Sequence, residues 1–135
     1  MPFQDDSFAI IGCAMHVHNM LGPGLREKPY ENALVIALRN KNLKAEPQRA
    51  FPILYCGQPV GDCIPDITVS GNFLVDVKSI DVIGDNEVAQ MLNYLRISGL
   101  KVGLIINFKN AKLEWQRIVR GQQPGQFSNA NEEGM

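Results

Sequence analysis

Apolar residues recur at helical spacing in two segments near the start of the chain. In the first segment they follow Ser7, a residue type that caps helices, and the pattern stops at Gly22-Pro23-Gly24. The spaced apolar positions are Phe8, Ile11, Met15 and Leu21 in the first segment and Ala33, Leu34, Ala37 and Leu38 in the second. The pattern therefore predicts two helices, the second with Pro29 in its first turn and running to about Asn42.

After Pro47 the pattern changes to short apolar runs interrupted by Gly and Pro, which is typical of strands and tight turns. It predicts strands over residues 51–56, 64–70 and 73–80, a third helix from about Asp85 to Ser98, and strands over 102–107 and 113–119. The predicted order of elements is ααβββαββ, an α/β arrangement.

The length of 135 residues fits one domain, which we expect to span residues 1–120. Residues 121–135 are dominated by Gly, Gln, Asn and Glu, so we expect a disordered C-terminal tail. A hydrophobic content of 45% excludes disorder as the main state of the chain. The absence of a long apolar run or a signal-peptide pattern predicts no membrane association and a cytoplasmic location.

The charges are unevenly distributed, although the net charge is only −1. Residues 61–87 carry six acidic residues and one lysine, giving −5, whereas residues 96–120 carry six basic residues and one glutamate, giving +5. An acidic centre is therefore expected beside a basic flank, which could attract an anionic partner or be an ordinary solvated surface.

The second and third predicted strands bring two acids and a lysine together. Because side chains alternate along a strand, Asp76 and Lys78 share one face of the third strand. A three-residue turn over 70–72 would place Asp66 opposite Asp76, whereas a two-residue turn would place Asp66 opposite Val77. The hydrophobic pattern favours the three-residue turn. Oxygen ligands on neighbouring strands suit Mg²⁺ or Mn²⁺, although an ordinary hairpin with a surface ion pair would show the same residues.

On the third predicted helix, Gln90 and Tyr94 are four residues apart and share a face. Gln90 could hold an attacking water or a substrate oxygen, and Tyr94 could contact a phosphate or a base. A metal site formed by Cys56 and Cys63 with the histidines of the first helix is a weaker alternative, because closely spaced ligand pairs are lacking.

Several segments together resemble the GxxExxY protein family, a compact branch of the PD-(D/E)XK nuclease superfamily. The resemblance runs from about residue 11 to residue 119 and includes the segments Gly24-Leu25-Arg26-Glu27-Lys28-Pro29-Tyr30, Pro65-Asp66, Asp76-Val77-Lys78 and Gln90-Met91-Leu92-Asn93-Tyr94. It implies a restriction-endonuclease-like core, a mixed central sheet flanked by helices.

By this resemblance, Asp66 and Asp76 would bind a divalent metal and Lys78 would be the catalytic lysine. An acid on the helix before the first strand would complete the site. Glu31 is our candidate, and Glu27 is the competing one, which could instead stabilise the start of that helix. His16 stands where many relatives have Glu, a departure that weighs against activity.

Two classes of function remain open at this point. The first is Mg²⁺- or Mn²⁺-dependent hydrolysis of phosphodiester bonds in DNA or RNA, with Asp66, Asp76, Lys78, Gln90 and Glu31 as catalytic residues and Tyr94 contacting the substrate. The second is a non-catalytic nuclease-like module that binds nucleic acid or a protein partner. So small a chain leaves little surface for substrate recognition, and a homodimer could supply more.

Overall fold

A computed structural model describes residues 5–121, and the predicted tail lies outside these residues except for Gly121. Within this range the helices are α1 (Ser7–Leu21), α2 (Glu27–Asn40) and α3 (Asp85–Ser98). The strands are β1 (Ala45–Pro47), β2 (Phe51–Tyr55), β3 (Gln58–Cys63), β4 (Ile67–Val69), β5 (Phe73–Lys78), β6 (Val102–Asn107) and β7 (Glu114–Val119). No helix in this part of the chain is long and apolar enough to cross a membrane.

The central sheet is mixed, with the strand order β1-β4-β5-β6-β7. The strands β5 and β6 are parallel and are connected through α3, while the other neighbouring pairs are antiparallel. A parallel pair needs a crossover connection, and α3 provides it. The remaining two strands, β2 and β3, form a separate hairpin.

Two apolar clusters cover the two faces of the central sheet. On one face, α1 and α2 pack on alternate residues of the strands, including Ile67, Val75 and Val77. On the other face, α3 and the base of the β2–β3 hairpin pack on the intervening positions, including Leu74 and Ile105. The alternation predicted for the third strand is therefore confirmed, and Asp76 and Lys78 lie on the α3 face.

The helix α3 approaches the sheet closely at Gly103 of β6. A Cβ atom at this position would overlap with the side chain of Met91, which is fully buried. The absence of a side chain at Gly103 therefore leaves room for the Met91 side chain between α3 and β6. Because Gln90 precedes Met91 in the chain, this contact also helps to position Gln90.

The predicted mixed central sheet flanked by helices is confirmed, but two of the strands are additional to the predicted order. The strand β1 has only three residues and ends in Pro47, which an edge strand tolerates because one side of its backbone needs no partner. The strand β3 is exposed along most of its length, so no alternation of apolar residues marks it. The predicted second strand over 64–70 is shorter in the structure, where β4 covers only Ile67–Val69.

The turn between α1 and α2 is held by Tyr30, which is fully buried. The Tyr30 hydroxyl donates to the carbonyl oxygen of Gly22 at 2.6 Å and accepts from the backbone N–H of Leu25 at 3.0 Å. The ring stacks on Phe108, with 4.6 Å between ring centroids. Since Phe108 directly follows β6, Tyr30 joins the helical turn to the end of the central sheet.

Candidate functional site

The hairpin of β4 and β5 brings the two predicted carboxylates together. Val69 pairs with Phe73 and Ile67 pairs with Val75, so residues 70–72 form the predicted three-residue turn. Ser70 and Gly71 make this turn with φ angles of 54° and 68°. The backbone N–H of Asp66 lies 3.3 Å from Oδ1 of Asp76, and the N–H of Val77 donates to Oδ2 of Asp66 at 2.8 Å.

The environment of this pair disfavours two negative charges. Burial and the neighbouring charge of Asp76 raise the pKa of Asp66 to about 7, and the charge of Glu31 adds to the effect. Asp76 is only 4% exposed, and burial raises the pKa of its carboxyl although Lys78 opposes the shift. Two buried carboxylates that destabilise each other favour the binding of a proton or a cation.

Lys78 lies between the carboxylates and α3. Its ammonium nitrogen is 3.6 Å from Oδ2 of Asp76 and donates to Oε1 of Gln90 at 2.8 Å. The amide of Gln90 in turn donates to the hydroxyl of Tyr94 at 3.0 Å. The structure therefore brings Asp76, Lys78, Gln90 and Tyr94 into one continuous chain of polar contacts.

The phenol of Tyr94 stays protonated over the ordinary pH range. Burial and the negative charge of Asp76 raise its pKa to about 12. The hydroxyl therefore retains its proton and can donate to an acceptor such as a phosphate oxygen. The prediction that Gln90 and Tyr94 share a face of α3 is correct, and this face lies beside the buried residues Met91 and Leu95.

Glu31 lies on the Asp66 side of the site and is only 5% exposed. Its Oε1 atom accepts from Nζ of Lys28 at 3.2 Å and from Nε2 of Gln48 at 2.6 Å. Its charge contributes to the raised pKa of Asp66, so the two carboxylates interact electrostatically. The structure thus places our candidate for the third acid near the β4–β5 pair.

Glu27, the competing candidate, contacts the backbone that follows Lys78. Its Oε2 atom accepts from the N–H of Ser79 at 3.2 Å, and the Ser79 hydroxyl donates to the carbonyl oxygen of Leu25 at 2.8 Å. Its charge also raises the pKa of Asp76. Glu27 is also the acidic residue in the first turn of α2, where a negative charge is favourable. In this structure it joins the start of α2 to the end of β5.

Gln48 was not identified from the sequence, yet it contacts two members of the site. Its side chain donates to Glu31, and its backbone N–H donates to the carbonyl oxygen of Asp66 at 3.0 Å. The residue follows the short edge strand β1, which the hydrophobic pattern does not mark. No local sequence signal points to Gln48, because both contacts join segments that are distant along the chain.

The donor set at this site consists of carboxylate oxygens, which suit Mg²⁺ or Mn²⁺. Within residues 5–121, no group of three or more His, Cys, Asp or Glu side chains is arranged to hold a metal ion, so these residues form no cage of protein ligands. Magnesium is usually held by one or two carboxylates together with waters and substrate phosphates, so such a cage is unnecessary. The buried pair of Asp66 and Asp76 therefore fits a divalent cation, with Glu31 as a neighbouring carboxylate.

The two histidines of α1 differ in their surroundings. His18 is 6% exposed, and its Nε2 donates to the carbonyl oxygen of Asn110 at 2.9 Å. His18 is therefore a packed helix histidine with a backbone partner. His16 is exposed and takes part in none of the site contacts described above. Cys13, Cys56 and Cys63 are free thiols, and Cys56 is exposed.

The basic flank is divided between the two ends of the central sheet. Lys101 and Arg120 lie at the end where Phe73 pairs with Val102. The site lies at the other end, where Lys78 pairs with Asn107, roughly 16 Å away along the strands. Lys109 lies at the site end and pairs with Asp81. The +5 charge of this segment is thus not one continuous surface beside the carboxylates.

Comparisons with known proteins agree with this architecture. The sequence profile of the PD-(D/E)XK nuclease superfamily matches residues 4–118. This match does not reach the finer level of the GxxExxY family, which stays a prediction. No protein of curated function matches the chain.

Among solved structures, the chain is similar to the crystal structure of SSO0001, with a TM-score of 0.51 and 14% sequence identity. The similarity covers 86% of this chain and 53% of SSO0001, so the chain spans about half the length of that protein. At this identity the likeness concerns the fold alone.

Proposed function

Since the chain belongs to the PD-(D/E)XK nuclease superfamily, we propose that it is a Mg²⁺- or Mn²⁺-dependent nuclease that hydrolyses phosphodiester bonds in DNA or RNA. The observation that carries this proposal is the convergence of Asp66, Asp76 and Lys78 at the end of the β4–β5 hairpin. Asp66 directly precedes β4, and Asp76 and Lys78 lie on β5. These acids and this lysine are the residue types that the superfamily name specifies.

In this proposal Asp66 and Asp76 hold the divalent cation, and Glu31 completes the anionic environment. The bound cation would lower the pKa of a water molecule and polarise a phosphoryl oxygen. The destabilised carboxylate pair supports this role, because a cation would offset the burial and the repulsion from Asp76 that raise the pKa of Asp66.

The remaining residues act on the substrate side of the site. Lys78 presents a positive charge that can orient an attacking water and stabilise charge on the phosphate. Gln90 fixes the direction of the Lys78 ammonium through its Oε1 atom. Tyr94, which remains protonated, can donate a hydrogen bond to a phosphate oxygen or contact a base.

The proposal is tested with the purified chain on supercoiled DNA, single-stranded DNA and RNA, each with Mg²⁺, with Mn²⁺ and with EDTA. We expect cleavage that depends on the cation, and a loss of about 10³-fold in the Lys78→Ala variant. Lys101→Ala removes an exposed lysine at the opposite end of the sheet and should retain full activity.

Cleavage in EDTA, or equal rates for wild type and Lys78→Ala, would contradict the proposal. Cation-independent binding of nucleic acid without cleavage would support the non-catalytic module instead. The homodimer and the cytoplasmic location stay predictions from the sequence.

A further inference from the structure

We propose that Gln48 is a positioning residue that holds Glu31 at a fixed place relative to Asp66. This inference rests on the proposed function, because its consequence is tighter binding of the divalent cation. Gln48 contacts both carboxylate residues: its side chain reaches Glu31, and its main chain reaches Asp66.

The main-chain contact continues the pairing of the edge strand. Pro47 pairs with Ile67 at the end of the β1–β4 ladder, so Gln48 lies beside Asp66 in the same register. The N–H of Gln48 donates to the carbonyl oxygen of Asp66 at 3.0 Å. The backbone of Gln48 is thereby tied to the backbone of a proposed cation ligand.

The backbone of Gln48 adopts a conformation that a residue with a side chain rarely takes. Its φ angle is 57°, in the left-handed region where glycine is favoured. Such a conformation persists where surrounding contacts over-determine it, and it is enriched at functional sites. Glycine would adopt this backbone conformation without strain. We therefore attribute the presence of glutamine at this position to the contact that its side chain makes.

That contact is with Glu31 of α2. Nε2 of Gln48 donates to Oε1 of Glu31 at 2.6 Å, and Nζ of Lys28 reaches the same oxygen at 3.2 Å. The neighbouring Arg49 is engaged elsewhere, 3.7 Å from Glu46 and 4.8 Å from the centre of the Phe51 ring. Gln48 therefore orients the Glu31 carboxylate with a neutral amide, on the same oxygen that forms an ion pair with Lys28.

Residues that hydrogen-bond to metal ligands typically change metal affinity by about 10- to 100-fold when they are replaced. The discriminating variant is Gln48→Gly, which keeps the backbone N–H and suits the left-handed conformation but removes the amide. The control is Asn42→Gly, since Asn42 has a similar φ of 63° in the loop after α2 and makes no contact with the carboxylates in the described structure.

The measurement is the Kd for Mn²⁺ by calorimetry, with the melting temperature recorded in EDTA. We expect Gln48→Gly to weaken Mn²⁺ binding by about 10- to 100-fold while its melting temperature stays close to that of Asn42→Gly. A role that is only structural would lower the melting temperature and leave the Kd unchanged.

A double-mutant cycle with Glu31→Gln tests whether Gln48 acts through Glu31. We expect the loss of affinity in Gln48→Gly to disappear when Glu31 is already replaced, because the two residues then act as one unit. Equal Mn²⁺ affinity of wild type and Gln48→Gly, or full additivity with Glu31→Gln, overturns the proposal while the nuclease function stands. If the wild-type chain binds no Mn²⁺, both the positioning role of Gln48 and the proposed nuclease function are wrong.

Discussion

The ammonium group of Lys78 donates to Oε1 of Gln90 at 2.8 Å, which joins the last residue of β5 to the middle of α3. A lysine side chain has many rotamers, and an acceptor on a rigid helix restricts them. The amide nitrogen of Gln90 also donates to the hydroxyl of Tyr94, and this second contact fixes the orientation of the amide. The position of α3 therefore controls the position of the lysine charge.

Replacing Gln90 by Ala should lower the rate of cleavage by about 10- to 100-fold, because Lys78 loses the acceptor that fixes its orientation. Mn²⁺ affinity should change little, since Gln90 does not contact either aspartate in the described structure. Steady-state kinetics and a Mn²⁺ titration check these two expectations. Asn93→Ala is the matched control, because Asn93 lies on the exposed side of α3 and accepts from Arg96. Equal losses in both variants would refute the orienting role.

Replacing Asp66 by Asn should stabilise the metal-free protein at pH 8, by about 2 kcal/mol, while abolishing tight Mn²⁺ binding. Asn retains an oxygen that can accept from the N–H of Val77, so the hairpin contact survives. The gain arises because a buried charge beside Asp76 is removed.

The pH dependence follows from the raised pKa of Asp66, which is about 7 in the folded chain against an ordinary value of 3.8. The folded state then binds the proton more tightly than the unfolded state, so this group makes metal-free stability fall as the pH rises from about 4 to about 7. Above that range its contribution is constant. Urea unfolding in EDTA at several pH values should show a smaller fall in Asp66→Asn, and an unchanged fall in Asp62→Asn, which alters an exposed acid. The same slope in wild type and Asp66→Asn would contradict this assignment.

The sequence predicts the central part of the site because its signals are local. The alternation of Asp76 and Lys78 with apolar residues on β5, together with the apolar residues of β4, selects one register of the hairpin, because a shift by one residue would turn the core-facing side chains to the other face. That register alone determines that Asp66 and Asp76 are neighbours. The helical spacing of Gln90 and Tyr94 is equally local.

The parts that could not be predicted depend on contacts between distant segments. The strand β1 exists because it pairs with β4, and β3 exists because it pairs with β2, although neither has a clear apolar pattern. Gln48 reaches Glu31 only after β1 is in place. The sequence cannot choose between Glu27 and Glu31, since both lie in the first turns of α2, and the choice of Glu31 stays a prediction.

Replacing Gly103 by Ala should destabilise the chain by about 1–3 kcal/mol, because the added methyl group overlaps with Met91 and must displace α3 or the side chain. Activity should fall as well, since α3 presents Gln90. The control is Gly12→Ala on the exposed face of α1, where nothing lies near the added atom. That change should stabilise the protein by about 0.5–1 kcal/mol through higher helix propensity. Thermal unfolding of both variants checks the prediction, and a neutral Gly103→Ala would contradict the close approach.

Replacing Tyr30 by Phe should lower the free energy of unfolding by about 1–3 kcal/mol. The change keeps the ring stacked on Phe108 but leaves the carbonyl of Gly22 and the N–H of Leu25 without the hydroxyl. Denaturant unfolding measures the loss. Tyr55→Phe, at a side chain that is 70% exposed, should change stability by less than about 0.5 kcal/mol. Similar values for the two variants would show that the hydroxyl of Tyr30 does not hold the turn.

The polar chain from Asp76 to Tyr94 has a consequence during synthesis on the ribosome. Asp76 and Lys78 of this chain of contacts lie on β5, Gln90 and Tyr94 lie on α3, and the neighbouring Glu31 lies on α2. The helix α3 can pack in its final position only when β6 is present, because it contacts β6 at Gly103. A nascent polypeptide that has emerged only as far as the β4–β5 hairpin therefore carries the acids without an ordered lysine. The proposed cation-dependent cleavage would therefore begin only after β6 has left the ribosome.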